Sequence, residues 1–335
     1  TELVGDFKTD RDSRSEWGDG YTKGLDLLGL KYNERSQPFQ GASGVTHPLL
    51  AESVTQFQAQ AFKEMLPPQG PVKTAILGVE TPEVVAQADR VQDFMNYQLT
   101  TVMEDYTPDM DQLLFHLPLA GSAFKKVYYD GTKAQCVSKF IPAEDLVVNY
   151  LATDLETAER VSQIVKMTRN ELRKQQVNEF YRDIEVEESD EESKIQDKYN
   201  KLEGVEKTEY DNNTYTLYEI HCNLDIKGFE DKDGNTGEET GIELPYIVTI
   251  DEGSNKVLSI YRNYKEDDAL KKKTQYFVHY KFLPGLGFYG FGLIHMLGGL
   301  SRTATSTLRQ LIDAGTLSNL PAGFKARGLR IRDDD

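Results

Sequence analysis

The sequence predicts an α+β protein, with a body of mixed helices and antiparallel strands followed by one long helix. Amphipathic segments with helical periodicity occupy the first third of the chain. Runs rich in β-branched and aromatic residues follow from residue 123 onward. From 292 to 314, apolar residues recur at spacings of three and four. This spacing predicts a helix roughly 34 Å long, at about 1.5 Å per residue.

The first third of the chain is predicted to be mainly helical. Thr81 followed by Pro82 is a typical N-cap and first helical residue, and Pro67–Pro68 is a typical helix stop. The predicted elements are one helix within 17–30, a helix at 49–65, a short strand at 72–78, a helix from Thr81 to about Val102, and a helix at 110–119.

The middle of the chain is predicted to be mainly strands. The predicted elements are a hairpin of 123–129 and 135–141, a strand at 146–150, a helix–helix region through Leu172, and strands at 214–225, 244–250, 257–264 and 276–281. Between Asp183 and Glu192 the composition turns strongly acidic. We therefore expect 183–213 to be a solvated helix or a disordered insertion, with an acidic rim or docking tail as the functional alternative.

Composition limits the classes of function. A length of 335 residues suits about two domains. The formal net charge of −17 disfavours a general nucleic-acid-binding surface, because it repels a phosphate backbone outside local basic patches. The two cysteines, Cys136 and Cys222, have no disulfide or metal-site spacing. No apolar run approaches the ~20 residues that span a bilayer, so we expect no membrane partner.

A glycine-rich stretch precedes the long helix and allows two interpretations. GLGFYG, Gly285 to Gly290, has the spacing of a dinucleotide-binding loop, which would make the chain a nucleotide-dependent enzyme. No second strand with a ribose-binding acid follows it, however. We prefer a glycine-permitted bend whose aromatic residues pack the joint between body and helix. The predicted joint residues are Pro284, Gly285, Gly287, Phe288, Tyr289 and Gly290.

No catalytic constellation emerges from the sequence. None of the five histidines lies three or four residues from another, and no nucleophile elbow or Walker-type loop is present. We therefore predict no catalytic residue, no cofactor and no metal site. Two groups of charged residues stand out instead: a polar stripe of Arg302, Ser306, Arg309 and Asp313 on the long helix, and a basic tail of Lys325, Arg327, Arg330 and Arg332.

Several stretches resemble the portal protein of tailed bacteriophages, most closely the short-tailed, podovirus-like type. They are GLDLLG at 24–29, GVTHPLLAESVTQFQAQAFKEMLP at 44–67, GPVKT at 70–74, MNYQLT at 95–100 and FLPGLGFYGFGLIHMLGGLSRTATSTLRQLIDAGTLSNLPAGFKARGLRI at 282–331. The likeness covers most of the chain, and the acidic segment from 183 to 213 does not contribute to it.

The resemblance implies a non-enzymatic ring, usually a dodecamer, at one vertex of the virion capsid. Such a ring assembles in the host cytoplasm with the major capsid protein and scaffold. Double-stranded DNA enters through it, driven by the terminase large subunit, and later leaves through it into a head-to-tail adaptor. By this resemblance, residues 1–290 form an α/β wing, 291–320 a stem helix and 321–335 the beginning of a clip. The rest of the clip, a second stem helix, a tunnel loop and a crown are expected beyond this sequence.

The resemblance also suggests roles for the charged residues. Arg302, Ser306 and Arg309 are expected to face the channel, where weak basic rings could centre the duplex. The alternative is that the arginines pair with Asp313 or with neighbouring subunits. The basic tail is expected to contact DNA, terminase or the adaptor, or else to form ion pairs between subunits. Another virion component, such as a tail hub or capsid protein that does not conduct DNA, is a further alternative function.

Overall fold

The computed structural model describes residues 2–30, 35–131, 134–188, 193–204, 214–232 and 238–319. These residues form eight α-helices and two antiparallel sheets, so the predicted α+β class is confirmed. The helices are α1 (Glu2–Ser13), α2 (Ser15–Leu25), α3 (Leu49–Met65), α4 (Pro82–Tyr97), α5 (Tyr106–Ala120), α6 (Arg169–Val177), α7 (Lys194–Glu203) and α8 (Leu293–Asn319). The strands are β1 (Ser122–Asp130), β2 (Gln135–Pro142), β3 (Leu146–Val148), β4 (Arg160–Thr168), β5 (Thr214–Leu224), β6 (Leu244–Asp251), β7 (Val257–Arg262) and β8 (Phe277–Lys281).

The strands form two sheets that a partly buried ionic cluster connects. One sheet has the order β2-β1-β8 and the other the order β3-β4-β5-β6-β7. Lys126 on β1 donates to both carboxylate oxygens of Glu219 on β5, at 2.6 and 2.7 Å. His221 Nε2 lies 2.7 Å from Glu219 Oε1. Burial lowers the pKa of His221, although the neighbouring carboxylate opposes that shift.

The main hydrophobic core lies where the helices meet the three-stranded sheet. It contains Trp17 and Tyr21 of α2, Phe124 of β1, and Phe288 and Tyr289 from the segment that precedes α8. Residues from both ends of the described chain therefore share one core. This arrangement fixes α8, which packs against α2, α3 and α5.

An arm, defined as residues 67–102, projects from the end of the α3–α5 pair. It consists of an extended segment, α4 and a five-residue π-helical turn, Gln98–Val102. The predicted N-cap is confirmed, since the Thr81 side chain accepts a hydrogen bond from the Val84 amide. None of the residues of α4 is buried. The arm therefore adds almost nothing to the core.

Several predicted elements are wrong in detail. The helix predicted within 17–30 is α2, which begins at Ser15 and ends at Leu25 before a 3₁₀ turn, Asp26–Leu28, whereas α1 was not predicted. The predicted strand at 72–78 is extended but joins neither sheet, because side chains of α4 bind its backbone. The predicted helix–helix region through Leu172 contains β4, whose pairing with β5 along all nine residues overrides local helical preference. α8 extends beyond 314, where the predicted apolar periodicity ends, and continues to Asn319.

Candidate functional site

The joint between the body and α8 depends on close approach of backbone at its glycines. A Cβ atom added at Gly290 would come within 3.0 Å of the carbonyl oxygens of Gly121 and Leu283. A Cβ atom added at Gly285 would lie 2.0 Å from the Tyr289 carbonyl oxygen. The Gly290 amide donates to Ser122 Oγ at 2.8 Å. Protein backbone thus occupies the space beside these glycines, which favours the predicted bend over a loop that cradles a pyrophosphate.

The aromatic residues of the joint are completely enclosed. Phe288 is 0% exposed and stacks on His279, with ring centroids 4.7 Å apart. Tyr289 is 2% exposed and stacks on Trp17 at 4.9 Å. Burial lowers the pKa of His279 to about 3, and the positive charge of Lys281 adds to the shift. His279 is therefore neutral at neutral pH, which suits its position between apolar rings.

Arg14, which the sequence did not single out, holds the joint to the body. Its Nη1 donates to the carbonyl oxygens of Ala143 and Leu146, at 2.6 and 2.9 Å, and to the Tyr289 hydroxyl at 2.8 Å. Tyr289 in turn donates to the Leu146 carbonyl oxygen at 3.1 Å. A buried guanidinium group is stable only where hydrogen-bond acceptors surround its N–H donors. The carbonyl oxygens of Ala143 and Leu146 and the Tyr289 hydroxyl are those acceptors for Arg14.

The polar stripe of α8 partly docks against the protein's own body, at residues 43–47. Arg309 Nε donates to the Val45 carbonyl oxygen at 2.6 Å. Asp313 Oδ1 accepts from the Ser43 amide at 2.6 Å, and Thr305 Oγ1 accepts from the His47 amide at 3.0 Å. Asp313 also lies 3.9 Å from Arg35, rather than pairing with an arginine of its own helix.

Arg302 and Ser306 are exposed and line an open groove beside α8. The groove has a volume of about 830 Å³ and lies between α8, the end of α2 and residues 35–46. Its charged lining consists of Lys23, Asp26, Arg35, Arg302, Arg309 and Asp313. All three predicted channel-facing residues therefore border one groove with more cations than anions, on a chain whose overall charge is strongly negative.

The apolar stripe of α8, formed by Leu293, Leu297, Leu300, Ala304, Leu308 and Leu311, lies on a different side and is covered unevenly. Leu300 is 60% exposed, Leu311 70% and neighbouring Met296 55%, whereas the other four residues of the stripe are half-buried. Ser301 and Thr305, in contrast, are buried. An amphipathic helix of a monomer normally turns its apolar face to the core. In α8 the side that carries Ser301, Thr305 and Asp313 is docked, whereas Leu300 and Leu311 remain exposed.

Within the predicted acidic insertion, the described residues 193–204 contain the helix α7. This helix packs on α2 through Ile195, which is buried, and through a hydrogen bond between the hydroxyls of Tyr199 and Tyr21 at 2.8 Å. Residues 183–188 are exposed or partly exposed, and the Glu185 carbonyl oxygen accepts from Lys256. Residues 189–192 and 205–213 lie outside the described residues, as do Lys325, Arg327, Arg330 and Arg332 of the predicted clip.

The described residues hold no group of three or more histidine, cysteine, aspartate or glutamate residues arranged to bind a metal ion. None of the described helices is long and apolar enough to cross a bilayer. Both cysteines are free, with Cys136 exposed and Cys222 buried.

Comparison of the chain with models of known protein families and with curated protein sequences gives no match.

Proposed function

We propose that this chain is a portal-type, non-enzymatic ring subunit that forms a DNA channel at one vertex of a phage capsid. The observation that carries the proposal is the exposure of the apolar stripe of α8. Leu300 and Leu311 lie on a long helix that is firmly held to the body at its joint. A rotationally symmetric ring of copies would bury this stripe against neighbouring subunits.

The charge distribution supports a conduit rather than a tight DNA-binding protein. A net charge of −17 disfavours strong attachment to a passing duplex, so DNA can move. Exposed cations at Arg302, repeated in every subunit, would supply weak, sequence-independent phosphate contacts. Arg309 is less free for this role, since the Val45 carbonyl oxygen and the Thr46 hydroxyl accept its hydrogen bonds. Terminase, the tail adaptor and the capsid proteins are the partners that this function requires.

Electron microscopy of the full-length natural protein tests the proposal. We expect closed rings with a central hole wide enough for a DNA duplex and with α8 beside the hole. A protein that stays monomeric at all concentrations, even with scaffold protein present, would contradict it. Rings with Arg302 on their outer surface would instead favour a virion component that does not conduct DNA.

Two variants test whether rings form through α8, as opposed to any exposed apolar residue of the subunit. Leu300→Asp with Leu311→Asp should abolish rings and leave the fold intact, because both side chains are already in contact with water. Leu151→Asp, at a residue 88% exposed in the body, is the control and should assemble normally.

Thermal-shift titration with NAD or ATP tests the nucleotide-dependent alternative, which predicts stabilisation by the ligand.

A further inference from the structure

We propose that the arm, residues 67–102, is a contact between subunits, in which the arm of one copy packs against the arm of the next. The inference rests on the proposed ring and specifies one of its interfaces. It concerns a part of the chain remote in sequence from α8. Nothing in the joint, the groove or α8 requires the arm.

The arm exposes far more apolar surface than its neighbours in the fold. Its exposed apolar residues are Leu77, Val79, Val84, Val85, Val91, Phe94, Met95 and Tyr97, between 37% and 97% exposed. They form two separate surfaces, at about 150–200 Å² for each fully exposed side chain: about 500 Å² on α4 and about 300 Å² on residues 77 and 79. In a ring these two surfaces meet different neighbours. Each arm contact would therefore bury roughly half of the ~800 Å² per partner of a standard interface, and it would add to the contact that α8 makes.

The arm nevertheless has a defined internal structure. The Val72 amide donates to Asn96 Oδ1 at 2.8 Å, and Asn96 Nδ2 donates back to the Val72 carbonyl oxygen at 3.1 Å. The Thr74 amide donates to Gln92 Oε1 at 3.1 Å. These contacts fix the extended segment along one side of α4. The uncovered apolar side chains are therefore held in a definite arrangement, as an interface requires.

Local contacts alone are weak support for such an element. An isolated helix shorter than about 12–15 residues is marginal in water, and one of this length gains most of its stability from packing. The side of α4 that faces the extended segment consists of Ala88, Gln92 and Asn96, which bury little apolar area. A second surface over Val91 and Phe94 would supply the missing packing.

The occupant that fits this surface is another arm. Equivalent elements of a rotationally symmetric ring lie at the same height, and neighbouring copies meet through two different surfaces. The arm has two such surfaces. One is the outer edge of residues 75–79, to which no hydrogen bond within the described residues is assigned, and the other is the apolar side of α4. Charge agrees with this pairing, because Lys73 lies on the extended segment whereas Asp89 and Asp93 lie on α4.

Assembly of arm variants in the full-length protein tests the inference. Leu77→Asp with Phe94→Asp should raise the concentration needed for half-assembly at least tenfold, as measured by mass photometry. Circular dichroism and the thermal midpoint of the unassembled subunit should not change, because neither side chain is buried. Leu151→Asp is the matched control and should assemble like the wild type. Arm variants that assemble like this control would overturn the inference and leave the proposed ring intact.

Disulfide trapping tests which surfaces meet. In a Cys136→Ser background, one preparation carries Leu77→Cys and another carries Phe94→Cys. Oxidation of assembled mixtures should give a covalent dimer that neither preparation gives alone. Dimers within one preparation, or none in assembled mixtures, would overturn the arm-to-arm contact. Failure of the wild-type protein itself to form rings is a different result, which would remove the proposed function.

Discussion

Phe288 and Tyr289 of the joint are 0% and 2% exposed, whereas Phe94 and Tyr97 of the arm are 61% and 54% exposed. Both regions are ordered, and both combine aromatic residues with neighbouring glycine or polar residues. The difference lies in what the rest of the chain brings to them. The joint receives Arg14 and Trp17 from the N-terminal helices, whereas the hydrogen bonds of α4 come from within the arm. Burial here is decided by long-range partners rather than by local composition.

The largest expected effect comes from removing one aromatic ring in each region. Phe288→Ala should lower the free energy of unfolding by about 3–5 kcal/mol, since it leaves a cavity in an enclosed core. Phe94→Ala should change it by no more than about 0.5 kcal/mol, because the ring already contacts solvent. Urea denaturation of the unassembled subunit measures both. Equal losses would mean that the arm is packed more tightly than its exposure indicates.

Acid titration tests the partly buried cluster of Lys126, Glu219 and His221 that joins the two sheets. Burial alone raises the pKa of Glu219, but the hydrogen bond from His221 and the charge of Lys126 outweigh it and lower that pKa to about 2. A carboxyl group whose pKa falls on folding stabilises the fold above its ordinary pKa, here 4.5, and this stabilisation is lost as pH falls toward 2.

We therefore expect Glu219→Gln to be less stable than the wild type at pH 7 by about 1.5–3 kcal/mol, the range for hydrogen bonds to charged groups. The difference should shrink between pH 4.5 and 2. Thermal unfolding at a series of pH values measures it. Glu83→Gln, at an exposed position of the arm, is the control and should give a profile parallel to the wild type. A constant difference between Glu219→Gln and the wild type across this range would contradict the linkage.

Glycine replacements compare the joint with α8. Gly290→Ala should destabilise the protein by about 1–3 kcal/mol, because the added methyl group meets backbone oxygens that cannot move independently. Gly299→Ala places a methyl group where nothing lies within 4 Å and should stabilise α8 by up to about 1 kcal/mol, through higher helix propensity. Chemical denaturation distinguishes the two signs. A stabilising Gly290→Ala would show that the joint can relax.

The smallest effect separates two arginines of α8 that look alike in the sequence. Arg309→Ala should cost about 1 kcal/mol in the unassembled subunit, since it removes hydrogen bonds to residues 45 and 46. Arg302→Ala should stay within about 0.5 kcal/mol, because its side chain is exposed. Differential scanning calorimetry of the two variants provides the measurement. A larger loss for Arg302→Ala would reverse the assignment of docked and free residues.

Local signals predicted much of the fold. The bounds of α3 and the N-cap of α4 follow from apolar periodicity, proline stops and the Thr81–Pro82 pair. The hairpin of β1 and β2, and strands β5 to β8, follow from β-rich runs between turn residues. β4 was missed because its identity depends on pairing with β5, which lies more than 40 residues further along the chain.

The candidate site was less predictable than the fold. Apolar periodicity identified one apolar stripe on α4 and another on α8. It does not indicate whether other parts of the same chain bury a stripe or leave it exposed. Arg14 could not be found from the sequence, because its carbonyl partners at residues 143–146 come together only in the folded body. The glycines of the joint carried a clearer signal, since close backbone approach excludes every other residue type.

The hydrogen bond between Arg14 and Tyr289 joins residues 275 positions apart in the chain. During synthesis, α2 therefore leaves the ribosome long before Tyr289, whose aromatic ring will cover Trp17, has been synthesised. Contacts of such long sequence separation form late and slowly. Until residue 289 has emerged, the nascent chain presents the unfinished side of its core to solvent, where chaperones compete with aggregation. The body thus closes only when the helix that we propose for assembly begins to emerge, so subunits cannot engage α8 before the body that carries it is complete.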